Sequence, residues 1–168
     1  MRRQAVYGVI FSEDNTKVLL VQRRDLPVWV LPGGGLDDEE TPEQGVLREL
    51  AEETGFQGMI KRQVATYLPV NKLTQKTYFF ECTICGGMAR PNAEAKQIAF
   101  FPIKDLPSRL PPPFHGWIAD ALKNENQVMI KRTEGVTYLI LIKLLILHPI
   151  LIIRYLLTKL GIRFNDNS

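Results

Sequence analysis

Apolar residues recur along this chain in two rhythms, and the change between them marks its elements. Residues 4–11 (QAVYGVIF) form a short apolar run ended by the turn signal Ser12-Glu13-Asp14-Asn15, and residues 17–22 (KVLLVQ) read as the returning strand of a hairpin. The rhythm then becomes helical. Val46, Leu47, Leu50 and Ala51 fall on one side of a segment opened by Thr41, with Pro42 at the first helical position and Gln44 where a capping-box partner belongs. Gly55 supplies a left-handed stop, so a helix of roughly 20 Å is expected over 41–53 at ~1.5 Å per residue. Strand patterns return at 59–68, 76–85 and 97–103, with a polar turn near Asn71-Lys72 and a Gly-, Pro- and Asn-bearing loop over 86–96. A Pro-rich bend at 110–113 leads to a short helix over 117–123. Strands on both sides of a central helix, with a second helix closing the far side, give an α/β fold: an α/β/α sandwich on a mixed β-sheet.

The polar side of the central helix changes the picture most. Glu49, Glu52 and Glu53 stand at i, i+3 and i+4, which puts three carboxylates on one face. Like charges along one stripe repel by a few tenths of a kcal/mol per pair, about 0.2–0.5. A divalent cation reverses that sign, and a set of hard oxygen donors selects Mg2+, with Mn2+ as the alternative, over zinc.

Read from Gly34, the chain gives five residues, Glu40, seven residues, then Arg48-Glu49-Leu50-Ala51-Glu52-Glu53-Thr54-Gly55-Phe56. This pattern resembles the signature of the Nudix hydrolase family at every fixed position, and the resemblance covers about residues 4 to 125. It implies the same α/β/α sandwich and a Mg2+-dependent hydrolysis of a phosphoanhydride in a nucleoside diphosphate linked to another group, most simply as a nucleotide pyrophosphatase. The family's range also includes dinucleoside polyphosphate and RNA 5'-end pyrophosphohydrolases, and a non-catalytic nucleotide-sensing module is the alternative of another class. The resemblance assigns cation binding to Glu49, Glu52 and Glu53 with a backbone carbonyl at Gly33. It also implies that Glu40 and Arg48 orient the helix and loop, and that one glutamate, Glu52 or else Glu49, deprotonates the water. Many relatives place an acidic residue in a later loop. Here Gln97, which has no basic group, stands at the expected position and Glu94 is the nearest acidic residue, so the general base stays open among Glu52, Glu49 and Glu94. A second departure is Glu39, where the family commonly has glycine; a positive φ there costs about 1 kcal/mol or more. Gly45 inside the helix is explained by close packing of a strand.

Among the flanking residues, Gly34 and Gly35 are expected to bring backbone close to a substrate, and Arg23 and Arg24 to offer guanidinium groups to phosphate, if they are not simply a solvated strand end. The partner expected is a small-molecule nucleotide. A net charge of +3 does not argue for nucleic-acid binding, because residues 131–168 carry +4 and the first 130 carry −1. That asymmetry divides the chain into a catalytic domain, 1–130, and an apolar, basic C-terminal extension, 131–168. Within it residues 138–160 are mostly Leu and Ile, interrupted by Lys143, His148-Pro149, Arg154 and Lys159. Interruptions short of ~18 apolar residues disfavour a spanning helix. They leave a membrane-surface anchor, or an element that covers the domain or a homodimer partner. Cys82 and Cys85 form a CxxC within a strand, where residues three apart point to opposite faces, so buried or half-buried thiols are expected and not a zinc site. His115 and His148 read as structural. The lack of an N-terminal signal pattern and of a disulfide framework suits a cytoplasmic enzyme, peripheral to the membrane if the extension inserts.

Overall fold

The structure, a computed structural model, describes residues 4–139 and Ile153. In order, the elements are β1 (Gln4–Ile10), β2 (Lys17–Arg23), β3 (Trp29–Val30), β4 (Gly33–Gly35), α1 (Pro42–Thr54), β5 (Phe56–Leu68), β6 (Lys76–Gly87), β7 (Ala95–Pro102), α2 (Pro112–Leu122) and β8 (Met129–Arg132). The strands make a five-stranded sheet in the order β4-β1-β6-β5-β8 and a three-stranded sheet in the order β3-β2-β7. The larger sheet is mixed: β1 runs parallel to β6 and β8 parallel to β5, and the β4–β1 and β5–β6 pairs are antiparallel.

Each face of the large sheet carries its own core. Phe79 and Phe80, adjacent on β6, point to opposite sides because strand side chains alternate. Phe80 joins Val6, Ile10 and Leu19 beneath Val46 and Leu50 of α1. Phe79 joins Val9, Val64 and Tyr67 against Phe114, Trp117 and Ile118 of α2. Tyr67 stacks on Trp117 with ring centroids 4.6 Å apart. The result is the helix–sheet–helix sandwich. Truncating Leu50, fully buried between α1 and the sheet, to alanine should cost about 2–5 kcal/mol.

α1 begins and ends where local chemistry dictates. Thr41 accepts a hydrogen bond from the Gln44 amide (3.2 Å), and Gln44 Oε1 accepts one from the Thr41 amide (2.9 Å), which closes the capping box. Gly55 takes φ 77° and its amide donates to Ala51 O. Gly45 is explained by crowding: a Cβ there would meet Leu36 Cδ1 at 2.7 Å and Glu40 Oε2 at 3.0 Å, with Val6 of β1 at 3.3 Å.

Several expectations need correction. β1 and β2 are not a hairpin; a single bridge, Phe11 to Val18, joins them, and beyond it each strand enters a different sheet. The side chains explain this, because Val18, Leu20 and Val21 face the α2 core and only Leu19 faces the α1 core. The glycine run forms strand β4, with Tyr7 opposite Gly33 and Ala5 opposite Gly35. α2 starts five residues earlier than the pattern indicated, because Pro112 and Pro113 occupy its first turn, where no amide donor is needed. β8 was not anticipated. It pairs residues 129–132 with 65–68 of β5, so the sheet extends two residues past position 130. Cys82 is buried and its thiol is pushed up to about 12 by burial, whereas Cys85 is exposed where the β5–β6 ribbon outruns the core. His115 sits exposed on α2, on the sheet face opposite α1. Among the described residues no helix is long and apolar enough to cross a membrane. The expectation for 138–160, apart from Tyr138, Leu139 and Ile153, lies outside the described residues.

Candidate active site

The acidic face of α1 lies against β4, and Arg48 is the hub of their contact. Its guanidinium binds Glu40 with two bonds, Nε to Oε1 at 2.9 Å and Nη2 to Oε2 at 3.0 Å. The remaining donors reach Glu49 Oε1 (3.0 Å), Glu52 Oε2 (3.1 Å) and the Gly35 carbonyl (3.1 Å), with Asp37 3.7 Å away. One planar fork therefore ties the loop before the helix, the glycine strand and two helical carboxylates together, which a lysine ammonium has too few fixed donors to do. The Glu40 bond is the largest cause of the upward shift of Arg48, and the same bond holds Glu40 below its ordinary range.

Glu53 faces inward from the same helix. It is 8% exposed, and Oε2 accepts a hydrogen bond from the Gly33 amide at 2.9 Å. Burial raises its carboxyl to about 7; the Gly33 amide opposes that, and the charges of Glu49 and Glu94 add to it. Glu49 is also raised, by burial first, against the opposing Arg48, with Glu52 and Glu94 adding repulsion. The Glu49 carboxylate lies directly on Gly34, where an added Cβ would meet Oε1 at 2.6 Å. Glu52 has a side chain 62% exposed and stands at the water-facing edge.

Of the flanking candidates, Arg23 is held by Asp25 through Nε–Oδ1 (2.8 Å) and Nη2–Oδ2 (2.5 Å), yet its charge still acts on Glu53. Burial pushes Asp25 up and Arg23 outweighs it, so the carboxyl sits below its usual value. Arg24 points elsewhere: its Nε donates to Asn92 O at 2.6 Å and its amide to Glu94 O at 2.9 Å. Glu94 lies in the loop before β7, exposed, with its charge felt at both Glu49 and Glu53. Gln97 is within β7, paired with Gln22. Glu39 takes φ 68°, the left-handed conformation anticipated for that position. Asp25 and Asn92 were missed. Asn92 follows Pro91 as a turn residue, which was the available signal for it.

A hard divalent cation suits the donors present, which are oxygen-only, anionic and partly desolvated, with Glu53 and Glu49 both held away from easy ionisation by burial and mutual repulsion. As they stand, no three Asp, Glu, His or Cys side chains among the described residues converge on one point. Arg48 holds Glu49 and Glu52 toward itself, and the exposure of Glu52 leaves that carboxylate room to turn. A cavity of about 480 Å3 opens elsewhere, lined among others by Phe11, Lys61, Glu81 and Phe100. None of the α1 carboxylates lines it, so charge marks the candidate site better than concavity does.

Comparison with known proteins gives the family and the fold. A MutT-like protein of Streptomyces ambofaciens is 34% identical over 121 residues, covering 70% of this chain and 75% of the relative. A putative 8-oxo-dGTP diphosphatase of Bacillus subtilis (strain 168) is 34% identical over 89 residues, 53% of this chain and 58% of the relative, so the chain spans little more than half that protein's length. Among solved structures, an ADP-ribose pyrophosphatase from Streptococcus suis 89-1591 superposes with a TM-score of 0.63 at 27% identity, covering 77% of this chain and 99% of that one. The sequence model of the NUDIX domain matches residues 1–124, which takes in both sheets except β8, the whole acidic helix and its glycine strand; the chain belongs to the NUDIX family.

Proposed function

We propose that this chain hydrolyses a phosphoanhydride in a nucleoside diphosphate linked to another group, using Mg2+ or Mn2+ held by Glu49, Glu52 and Glu53 with the Gly33 carbonyl. The observation that carries the reading is a buried carboxylate, Glu53, fixed by a backbone amide of the glycine strand and raised to about 7 with Glu49 beside it on the same helix. A fold retains such a group at a cost in stability, which a bound cation offsets. When bound, the cation supplies Lewis-acid polarisation of the phosphoanhydride and shields its charge.

The chain's own groups do the rest. Arg48 and Glu40 hold the helix and the preceding loop in register, so that the carboxylates meet the glycine strand at fixed distances. Gly34 and Gly35 let the backbone approach a pyrophosphate without a Cβ in the way. Arg23, kept in place by Asp25, presents positive charge near Glu53 and is suited to a phosphate oxygen. Glu52, the most water-exposed of the three carboxylates, takes the proton from the attacking water, with Glu49 and Glu94 as the alternative bases. The names of the relatives favour nucleotide-type substrates such as ADP-ribose and 8-oxo-dGTP.

The test is a panel of these two compounds, nucleotide sugars and dinucleoside polyphosphates, incubated with protein and Mg2+ and resolved by anion-exchange chromatography. Metal-dependent cleavage at a phosphoanhydride in at least one class, abolished in Glu53→Gln, is the expected result. Metal-independent cleavage, or cleavage undiminished in Glu53→Gln, would overturn the assignment.

A further inference from the structure

The loop between β6 and β7 is fastened to the acidic helix more firmly than a connecting loop requires. Arg90 N–H donates to Thr54 O at 2.9 Å, and the Asn92 side-chain amide donates to Glu52 O. Glu52 O is one of the last carbonyls of α1; the Phe56 amide, which would close that helical turn, donates instead to Thr54 Oγ1 at 3.1 Å. The other end of the same Asn92 side chain accepts from the amides of Glu94 and Ala95, each at 2.8 Å, and so folds the loop into an Asx-type turn. Arg24 grips from the β2 side, with Nε on Asn92 O at 2.6 Å and its amide on Glu94 O at 2.9 Å. Between residues 90 and 95 the one acidic side chain is Glu94.

We propose that Asn92, gripped by Arg24, is a positioning residue: its amide locks the 90–95 loop onto the C-terminal turn of α1 and thereby holds Glu94 beside Glu49 and Glu53. The proposal rests on the reading of α1 as a cation-binding hydrolytic site. A single carboxamide serves both parts of the task, because the acceptor oxygen shapes the loop and the donor nitrogen registers it on the helix residue that carries one of the carboxylates. Because the Glu94 amide is bonded to the same side chain that seats on Glu52 O, the backbone of Glu94 is registered on the helical turn that carries Glu52 and Glu53. Arg24 is accordingly assigned to the loop clamp, and of the two adjacent arginines Arg23 is the one whose charge acts on Glu53.

A double-substitution cycle on the full chain tests this, with kcat and KM measured at saturating Mg2+ and Mn2+ affinity measured by calorimetry. Asn92→Ala should lower kcat by about 10- to 100-fold, the scale of a loss of alignment near 1 Å, and weaken Mn2+ binding, with KM changed by less than about twofold. In the Glu94→Gln background the same substitution should add less than about twofold, because its effect passes through Glu94. Asn92→Asp keeps both acceptor bonds, loses the donor to Glu52 O and turns a carboxylate oxygen against that carbonyl. It should reproduce the kcat loss with a lowered thermal midpoint, and it carries the cycle if Asn92→Ala does not fold. Additive losses in the two backgrounds, or an unchanged kcat in Asn92→Asp, would overturn the positioning role while leaving the hydrolytic reading intact. A wild-type protein with neither metal-dependent turnover nor Mn2+ binding would instead sink the hydrolytic reading, and this proposal with it.

Discussion

Glu53→Gln is expected to stabilise the metal-free protein while it destroys the cation site. The carboxyl of Glu53 is raised from 4.5 to about 7 by burial. Below pH 4.5 it is protonated in both the folded and the unfolded chain, so it carries no penalty. As the pH rises toward 7 the unfolded chain ionises freely while the folded chain retains the proton or is forced to bury a charge, so stability falls. The loss is complete above about 7 and amounts to about 3 kcal/mol at ~1.4 kcal/mol per tenfold change in proton affinity. Glutamine has no proton to lose, and its carbonyl still accepts from the Gly33 amide. For a chain of this size a difference of that order corresponds to about 6–12 °C in Tm. Differential scanning calorimetry in EDTA should find wild type and Glu53→Gln close together at pH 5 and the variant higher by that margin at pH 8. Taking the difference removes the opposite trend from Asp25, Glu40 and Asp120, whose folded-state carboxyls lie below their ordinary values and stabilise as pH rises. Saturating Mg2+ should then raise the wild-type Tm at pH 8 and leave the variant unmoved. A variant less stable than wild type at pH 8, or a gap that does not change with pH, would refute the burial argument.

Three further outcomes follow from contacts around α1. Gly34→Ala places a Cβ 2.6 Å from Glu49 Oε1, and since that is the mobile end of a side chain it should yield; calorimetry should find the stability within about 1 kcal/mol of wild type, and hydrolysis assays a kcat lower by about tenfold or more. Arg48→Lys keeps the charge but not the fork that serves Glu40, Glu49, Glu52 and Gly35 O, so kcat should fall by at least about tenfold, with no rescue by added Mg2+. Glu39→Gly removes a non-glycine residue from φ 68°, and urea unfolding should report a gain of about 1 kcal/mol with turnover unchanged.

What could be read from the chain was what short-range chemistry decides. Thr41, Pro42, Gln44 and Gly55 define α1 almost to the residue because caps act over three or four positions, and the i, i+3, i+4 carboxylates follow from the helix alone. Glu39 was legible for the same reason, as a single residue in a turn. Strand partners were not, since β1 and β2 look alike in sequence and differ in the sheet that each completes. Gly33-Gly34-Gly35 has poor strand propensity, and only contact with β1 makes it β4. The four residues of β8 are too few, and too charged, to stand out by pattern. Arg23 and Arg24 are adjacent and chemically equal, yet Asp25 takes one and the Asn92 carbonyl the other. Both partners sit in turns, and the second is 68 positions away and bound through backbone, which no side-chain pattern announces.

The most direct test of the account is an anomalous difference map from crystals of the wild-type protein soaked in Mn2+ at pH 8. The account predicts a peak between α1 and β4, about 2 Å from carboxylate oxygens of Glu49, Glu52 and Glu53. Metal-dependent turnover in solution with a Mn2+ peak only at other residues, or with these three glutamates still held away from it, would contradict the account.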